Sequence, residues 1–151
     1  FNRARPHDTN LNLGISNTHE PLTYHRFSDP AVNTFSEAHA EKFKYKNWLT
    51  HLGTTTVPTK PLREVLAAHV PKGQAIDVLT IDVEGLDLAV LQSNDWERYR
   101  PQVIVVEAHD FTLRDKDVHP IYQLLTTHNY ELLSFVKFSL VFQTRSDKKR
   151  T

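Results

Sequence analysis

Ala75 to Leu91 read AIDVLTIDVEGLDLAVL, and the fold turns on this stretch. Its first half is an apolar run rich in Ile and Val. That pattern predicts a strand buried on both faces, as in a parallel sheet covered by helices. Asp82, Glu84 and Gly85 follow, and then Leu86, Ala89 and Val90 stand at helical spacing. The order is strand, acidic turn, helix, with Gly85 permitting the sharp change of direction. Ligands of open α/β sheets bind beyond the carboxyl ends of the strands, where Asp82 and Glu84 are expected. Two carboxylates in such a turn can hold a cation, orient hydroxyls or take a proton.

Upstream, Thr59 is expected to cap a helix with Pro61 in its first turn and Leu62, Val65, Leu66 and His69 on one face. Pro71-Lys72-Gly73 stops it. Downstream, Ser93 to Trp96 breaks the periodicity, and Val103 to Val106 forms a second apolar run ending in Glu107, Ala108, His109 and Asp110. Pro120, Ile121, Leu124 and Leu125 mark a further helix that closes near Asn129. Glu131 to Val136 and Leu140 to Gln143 read as strands joined by a tight reversal. So short a link makes them antiparallel, since a parallel crossover needs about a dozen residues or more. The alternation from Thr59 onward predicts an α/β layered domain with a largely parallel sheet.

The N-terminal third is less regular. Leu11 to Ser16 (LNLGIS) and Leu22 to Phe27 read as strands separated by turn residues. From about 29 to 58 the apolar pattern weakens. Ser36 can cap a helix from Glu37 to Trp48, and Thr54 to Val57 favour extended chain. A region of this length is either a mobile lid or an excursion packed on the edge.

A chain of 151 residues suits one domain. Its 18 basic and 18 acidic residues cancel, which gives no electrostatic footprint for nucleic acid or an anionic membrane. Residues 144–151, with Lys148, Lys149 and Arg150, read as a flexible tail. The absence of cysteine excludes disulfides and thiolate chemistry and points weakly to the cytoplasm. With no methionine, Phe1 reads as the inside of a longer protein. Oligomeric state has no signature here.

Taken in order, Ile76 to Gly85, the Leu86 to Leu91 helix, Asp95-Trp96, Arg100-Pro101 and Glu107 resemble the FkbM-type methyltransferases. These are S-adenosylmethionine-dependent O-methyltransferases. Arg5-Pro6, Asp8, Asn10 to Ser16, Asn33-Thr34 and the Leu62 helix share the family's spacing, so the resemblance runs from Arg5 to Phe142. It implies a Rossmann-like methyltransferase sheet with LNLGIS, IDVLTID and QVIVVE as third, fourth and fifth strands. Glu131 to Gln143 would add the antiparallel pair. One departure stands out. The family's Asp-x-Gly-Ala-Asn turn and the acidic end of its second strand, which hold the cofactor's methionine and ribose, have no counterpart among Gly14, Gly53, Gly73 and Gly85. The expectation is therefore a partial sheet lacking its first two strands, inactive when isolated.

The resemblance sets Asp82 beside the transferred methyl group, as a catalytic or cofactor-binding carboxylate. Its plainer role is a helix N-terminal charge, worth about 0.3–1 kcal/mol. Glu84 shares a face with Asp82 and is a candidate for the acceptor hydroxyl or a metal. Glu107 and His109 follow the fifth strand at the same edge, and histidine, titrating at about 6.5 as a residue type, suits proton acceptance. Ser16 and Asn17 are candidates for the adenine side, with simple turn residues as the plainer reading; Asp77, at the far end of its strand, reads as structural. Asp82, Glu84, Glu107 and His109 also form a credible divalent-cation set, so metal-assisted and metal-free transfer both stay open. The implied activity is O-methylation of a small molecule such as a sugar or polyketide. The alternative is a non-catalytic binding or scaffold domain that lost the cofactor loop.

Overall fold

Alternation along two strands builds the core. Ile104 and Val106, and on a neighbouring strand Leu140 and Phe142, are wholly buried, while Val103, Val105 and Val141 between them are half-buried. A strand with this period packs one face and leaves the other nearer to water. The computed structural model describes residues 3–145. Its elements are β1 (Gly14–Ile15), β2 (Leu22–Phe27), α1 (Glu37–Lys44), β3 (His51–Val57), β4 (Thr59–Lys60), α2 (Leu62–His69), β5 (Val78–Ile81), α3 (Asp87–Gln92), β6 (Val103–Glu107), α4 (Pro120–Thr127), β7 (Tyr130–Val136) and β8 (Ser139–Thr144).

The main sheet has the order β5-β6-β8-β7. β5 pairs with β6 in parallel, while β8 runs antiparallel to both β6 and β7. The expected parallel majority is therefore not what forms. Three of the four strands point the same way, but β8 inserts between two of them and turns two of the three ladders antiparallel. The hairpin link at Lys137 and Phe138 dictates this, with Lys137 in a left-handed conformation at φ 56°. Leu62, Val90, Leu91, Ile121 and Leu125 from α2, α3 and α4 cover the buried face, joined by Trp96 and Phe111.

Three further expectations change. β5 spans only Val78–Ile81 and is not buried on both faces, because it lies at the edge of the sheet; Val78 is 56% exposed. LNLGIS shrinks to the two residues of β1, which pair in parallel with β4 and not with the main sheet. Leu11, without a partner strand, is left exposed. Thr59 belongs to β4, where its hydroxyl donates to the carbonyls of Thr18 and Glu20, so it does not cap α2. Pro61 takes the cap position without a side-chain bond, and the buried Ser93 Oγ accepts the Leu62 N–H at 2.9 Å instead.

Residues 22–57 fold into a unit of their own, which takes in most of the irregular stretch. β2 and β3 form an antiparallel ladder that brackets a 3-10 turn at Pro30–Val32 and α1. Phe27, Ala40 and Leu49 are its buried core, with Val32 and Phe43 against them. Ser36 caps α1 as its sequence predicts, accepting the His39 N–H. The helix stops at Lys44 rather than Trp48: Tyr45 leaves helical backbone at φ −91° and ψ 2°, and Lys42 and Lys44 in the last turn complement the negative end of the helix dipole there. Thr144 ends β8, and residues 146–151 of the expected tail lie outside the described residues. No helix among the described residues is long and apolar enough to cross a membrane.

Ser93→Ala tests the borrowed cap. The Leu62 N–H would be left buried without an acceptor, so stability should fall by about 1–3 kcal/mol in a denaturant titration. A change under about 0.5 kcal/mol would show that the cap is dispensable.

Candidate active site

Register brings the acidic groups together. Ile81 pairs with Val106 across the parallel ladder, so the next residues, Asp82 and Glu107, leave the two strands side by side. Glu84 then comes back toward them, because it and Gly85 adopt left-handed backbone at φ 51° and 105°. Such a φ is uncommon outside glycine and is held here by identifiable contacts. Asp87 accepts the Val83 N–H through Oδ1 at 3.3 Å and the Gly85 N–H through Oδ2 at 3.2 Å. Thr34, 1% exposed, donates its hydroxyl to the Glu84 carbonyl at 2.7 Å and accepts the Ser36 N–H at 2.8 Å. The His39 ring lies so close over Gly85 that an added Cβ would meet it at 2.8 Å.

One ligand atom each from Glu84, Glu107 and His109 lies within 4.8 Å of the others. His109 Nε2 stands 3.1 Å from Glu107 Oε2. That contact is an ion-pair distance without hydrogen-bond alignment, so the buried Oε2 keeps no aligned donor. Burial pushes the Glu107 carboxyl above its ordinary value, and the nearby charge of Asp82 adds to the effect. Glu84 is raised as well, first by burial and then by Glu107 and Asp82. The Asp87 carboxyl is raised by burial despite its backbone donors.

A cavity of about 440 Å³ opens beside these groups, lined by Glu107, His109, Asp110 and His119 from one side and by His39 and Lys42 from the other. His119 is 9% exposed at its side chain and sits 3.1 Å from Asp110 Oδ1, and that bond lowers the Asp110 carboxyl. Burial and the nearby Lys42 hold the His39 imidazole below its ordinary value.

Of the residues singled out from sequence, the structure brings Asp82, Glu84, Glu107 and His109 to one place. Ser16 and Asn17 are not brought there, and neither lines this cavity. The Ser16 hydroxyl is used inside its own turn, accepting the Thr18 N–H at 3.0 Å. His39, Lys42, Asp87 and His119 are the lining residues that sequence reasoning missed. A usable signal existed for two of them, since His39, Lys42, Phe43 and Lys46 recur at one-face spacing after the Ser36 cap.

The Methyltransferase FkbM domain profile matches residues 1–132. The chain belongs to this family. The match spans β1 to β6 and α4 and ends inside β7, so it includes both strand ends that carry the acidic cluster. Neither the curated proteins nor the solved structures searched gave a significant match. The FkbM family implies S-adenosylmethionine, and the described residues fit it only in part. Asp82 is free and exposed, but Ser16 is engaged in its turn and no glycine-rich turn lies in the sequence. Glu84, Glu107 and His109 are the residues that could hold a divalent cation, as hard oxygens with one imidazole.

Two substitutions probe this FkbM site as a physical object. Thr34→Val should cost about 1–3 kcal/mol by stranding the Glu84 carbonyl and the Ser36 N–H, with Thr34→Ser restoring most of it. Equal melts for the two variants would refute the clamp. Glu107→Gln tests the charge cluster by its pH dependence. Because the folded-state pKa of Glu107 is raised from 4.5, its favourable contribution is complete below that value and is lost as pH rises. Glu107→Gln should therefore melt above the wild type at pH 8, with the gain vanishing as pH falls through the raised range toward 4.5. A gain that grows on acidification would overturn the reading.

Proposed function

We propose that this chain carries the acceptor side of an S-adenosylmethionine-dependent O-methyltransferase acting on a hydroxyl of a small molecule. The observation that carries the reading is the meeting of Glu84, Glu107 and His109 within 4.8 Å, at the carboxyl ends of two adjacent parallel strands, in an FkbM chain. The sheet order supports a Rossmann-like assignment. β5, β6 and β7 point one way, and the reversed β8 lies between the last two.

S-adenosylmethionine supplies an electrophilic methyl group when bound; the chain's own residues act on the acceptor. A hydroxyl entering the cavity meets His109 and Glu107 together. The imidazole takes the hydroxyl proton, and the carboxylate 3.1 Å away stabilises the imidazolium that results. Carboxyls raised by burial and mutual repulsion are also better bases than free ones, so Glu107 can take the proton in place of His109. Glu84 and Asp82 orient the acceptor. Positioning then supplies much of the rate.

A second reading places a divalent cation on Glu84, Glu107 and His109, favoured by the convergence of their ligand atoms. The cation would lower the pKa of the acceptor hydroxyl directly. A non-catalytic binding domain is the third outcome.

Steady-state kinetics with S-adenosylmethionine and acceptor separate them. His109→Ala should slow turnover by roughly 10²–10⁴-fold if it takes the proton, and Asp82→Asn should raise the acceptor KM if it orients the acceptor, both with melts close to wild type. Loss of activity on adding a chelator, restored by magnesium or manganese, selects the metal-assisted route. Near-wild-type rates in both variants would remove this cluster from the chemistry. The 151-residue chain by itself is expected to bind S-adenosylmethionine weakly, and a micromolar calorimetric affinity would show that its own residues complete the cofactor site.

A further inference from the structure

The polar cavity has an apolar neighbour. On the other side of His39 lies a second cavity of about 620 Å³, walled by Val32, Phe43 and Tyr45 and flanked by Lys42 and Lys46. His39, Lys42 and His109 line both spaces, so the two meet where the His39 and His109 rings stand 6.3 Å apart. Glu84 also lines the second cavity. A hydroxyl held at Glu84 and His109 would therefore have the rest of its molecule in either space.

The walls of the second space are selective. Phe43 and Tyr45 offer aromatic faces, which favour an aromatic ring over a hydrated polyol. Tyr45 is 81% exposed, an apolar surface that the fold itself leaves uncovered. Lys44, between them in sequence, is engaged by Glu41. Among the described residues neither Lys42 nor Lys46 stands in an ion pair, and both border the apolar wall. Glu84 faces the Glu107–His109 group. The resulting layout sets proton-accepting groups and Lys42 where the two cavities meet, with the aromatic walls and Lys46 in the second space.

We propose that this second cavity is the acceptor's specificity subsite and that it takes a hydroxylated aromatic acid. The hydroxyl lies at His109 and Glu84, the ring against Phe43 and Tyr45, and the anion at Lys42 and Lys46. The inference rests on the acceptor-side reading above and narrows it away from neutral sugars.

Binding without any methyl donor tests it separately from the chemistry. In calorimetric or NMR titration of this chain, 4-hydroxybenzoate should bind about three- to tenfold more tightly than 4-hydroxybenzyl alcohol at low salt, an advantage the size of one or two exposed ion pairs. The advantage should shrink in high salt and in Lys42→Gln/Lys46→Gln. Tyr45→Ala should weaken both aromatic compounds. These three residues are exposed, so the variants should keep the wild-type melt. Equal affinity for the acid and the alcohol, tighter binding of glucose than of either, or affinities untouched in both variants would overturn the subsite. If the acid binds here and the protein transfers no methyl group, the proposed function falls and the subsite stands. If transfer occurs to neutral polyols alone, the subsite falls and the function stands.

Discussion

The left-handed turn at Glu84 and Gly85 is the constraint on which the site depends. A strand leaving the sheet would carry its carboxylates past the edge; here two consecutive residues at φ 51° and 105° fold the chain back. A non-glycine residue in this region costs of order 1–3 kcal/mol and persists only where its surroundings hold it. The surroundings do so from both directions. Asp87, at the start of α3, takes two N–H groups from inside the turn, and Thr34 holds the Glu84 carbonyl from outside it. The lack of a side chain at Gly85 lets the His39 ring lie against the backbone. A single turn thus aims Glu84 and docks the β2–β3 unit on the sheet.

The sheet separates its tasks by end. At the carboxyl ends of β5 and β6, like charges crowd, and burial raises the carboxyls above their ordinary range. The opposite end is held by neutral and charge-assisted hydrogen bonds instead. Tyr130, wholly buried, donates its hydroxyl to the Pro101 carbonyl at 2.7 Å, and burial pushes its pKa up to about 12. Arg100 donates to the His128 carbonyl at 2.8 Å and lies 5.6 Å from the Tyr130 ring centroid. Asp95 accepts the N–H groups of Glu97 and Arg98 and closes the loop around the buried Trp96. In this chain the Asp95-Trp96 and Arg100-Pro101 parts of the family pattern make structural contacts. They stabilise the end of the sheet opposite the acidic cluster, beside a cavity of about 670 Å³ lined by Lys72, Arg98 and Arg100.

What could be read in the sequence follows the range of each interaction. Glu107 and His109 were legible beside Asp82 and Glu84 because each pair trails an apolar run, and strand ends collect at one edge whatever the details. The α1 cap at Ser36 and the terminal hairpin were legible because both are settled within a few residues. The edge position of β5 was not, since Val78 and Thr80 read as core until the neighbouring strands are known. The α2 cap failed for the same reason: Ser93 reaches Leu62 from 31 residues away, and a local rule selects the nearer Thr59. Lys42 and His39 look like ordinary members of a polar helix. Their role comes from a contact such as Thr34 to Glu84, across 50 residues, that no periodicity encodes. The strand that ends at Ser16 was not legible as separate from the main sheet, since β1 pairs with β4 across more than 40 residues.

The site also lies between two separate hydrophobic cores. Ile104, Val106, Leu140 and Phe142 anchor the sheet, while Phe27, Ala40 and Leu49 anchor the β2–β3 unit. What spans the gap at the site is the Thr34 hydrogen bond, the His39 ring over Gly85, and the approach of His39 to His109. One hydrogen bond and a few ring contacts contribute far less than a shared apolar core, so the seam is held more weakly than either core. The same contacts are where an acceptor would press, since His39 and His109 divide the polar space from the apolar one. Rigid cores hold the strand ends in register, and a weaker polar seam leaves room for a substrate. That division sets the carboxylates on the better-packed side and leaves the wall facing them on the more weakly joined one.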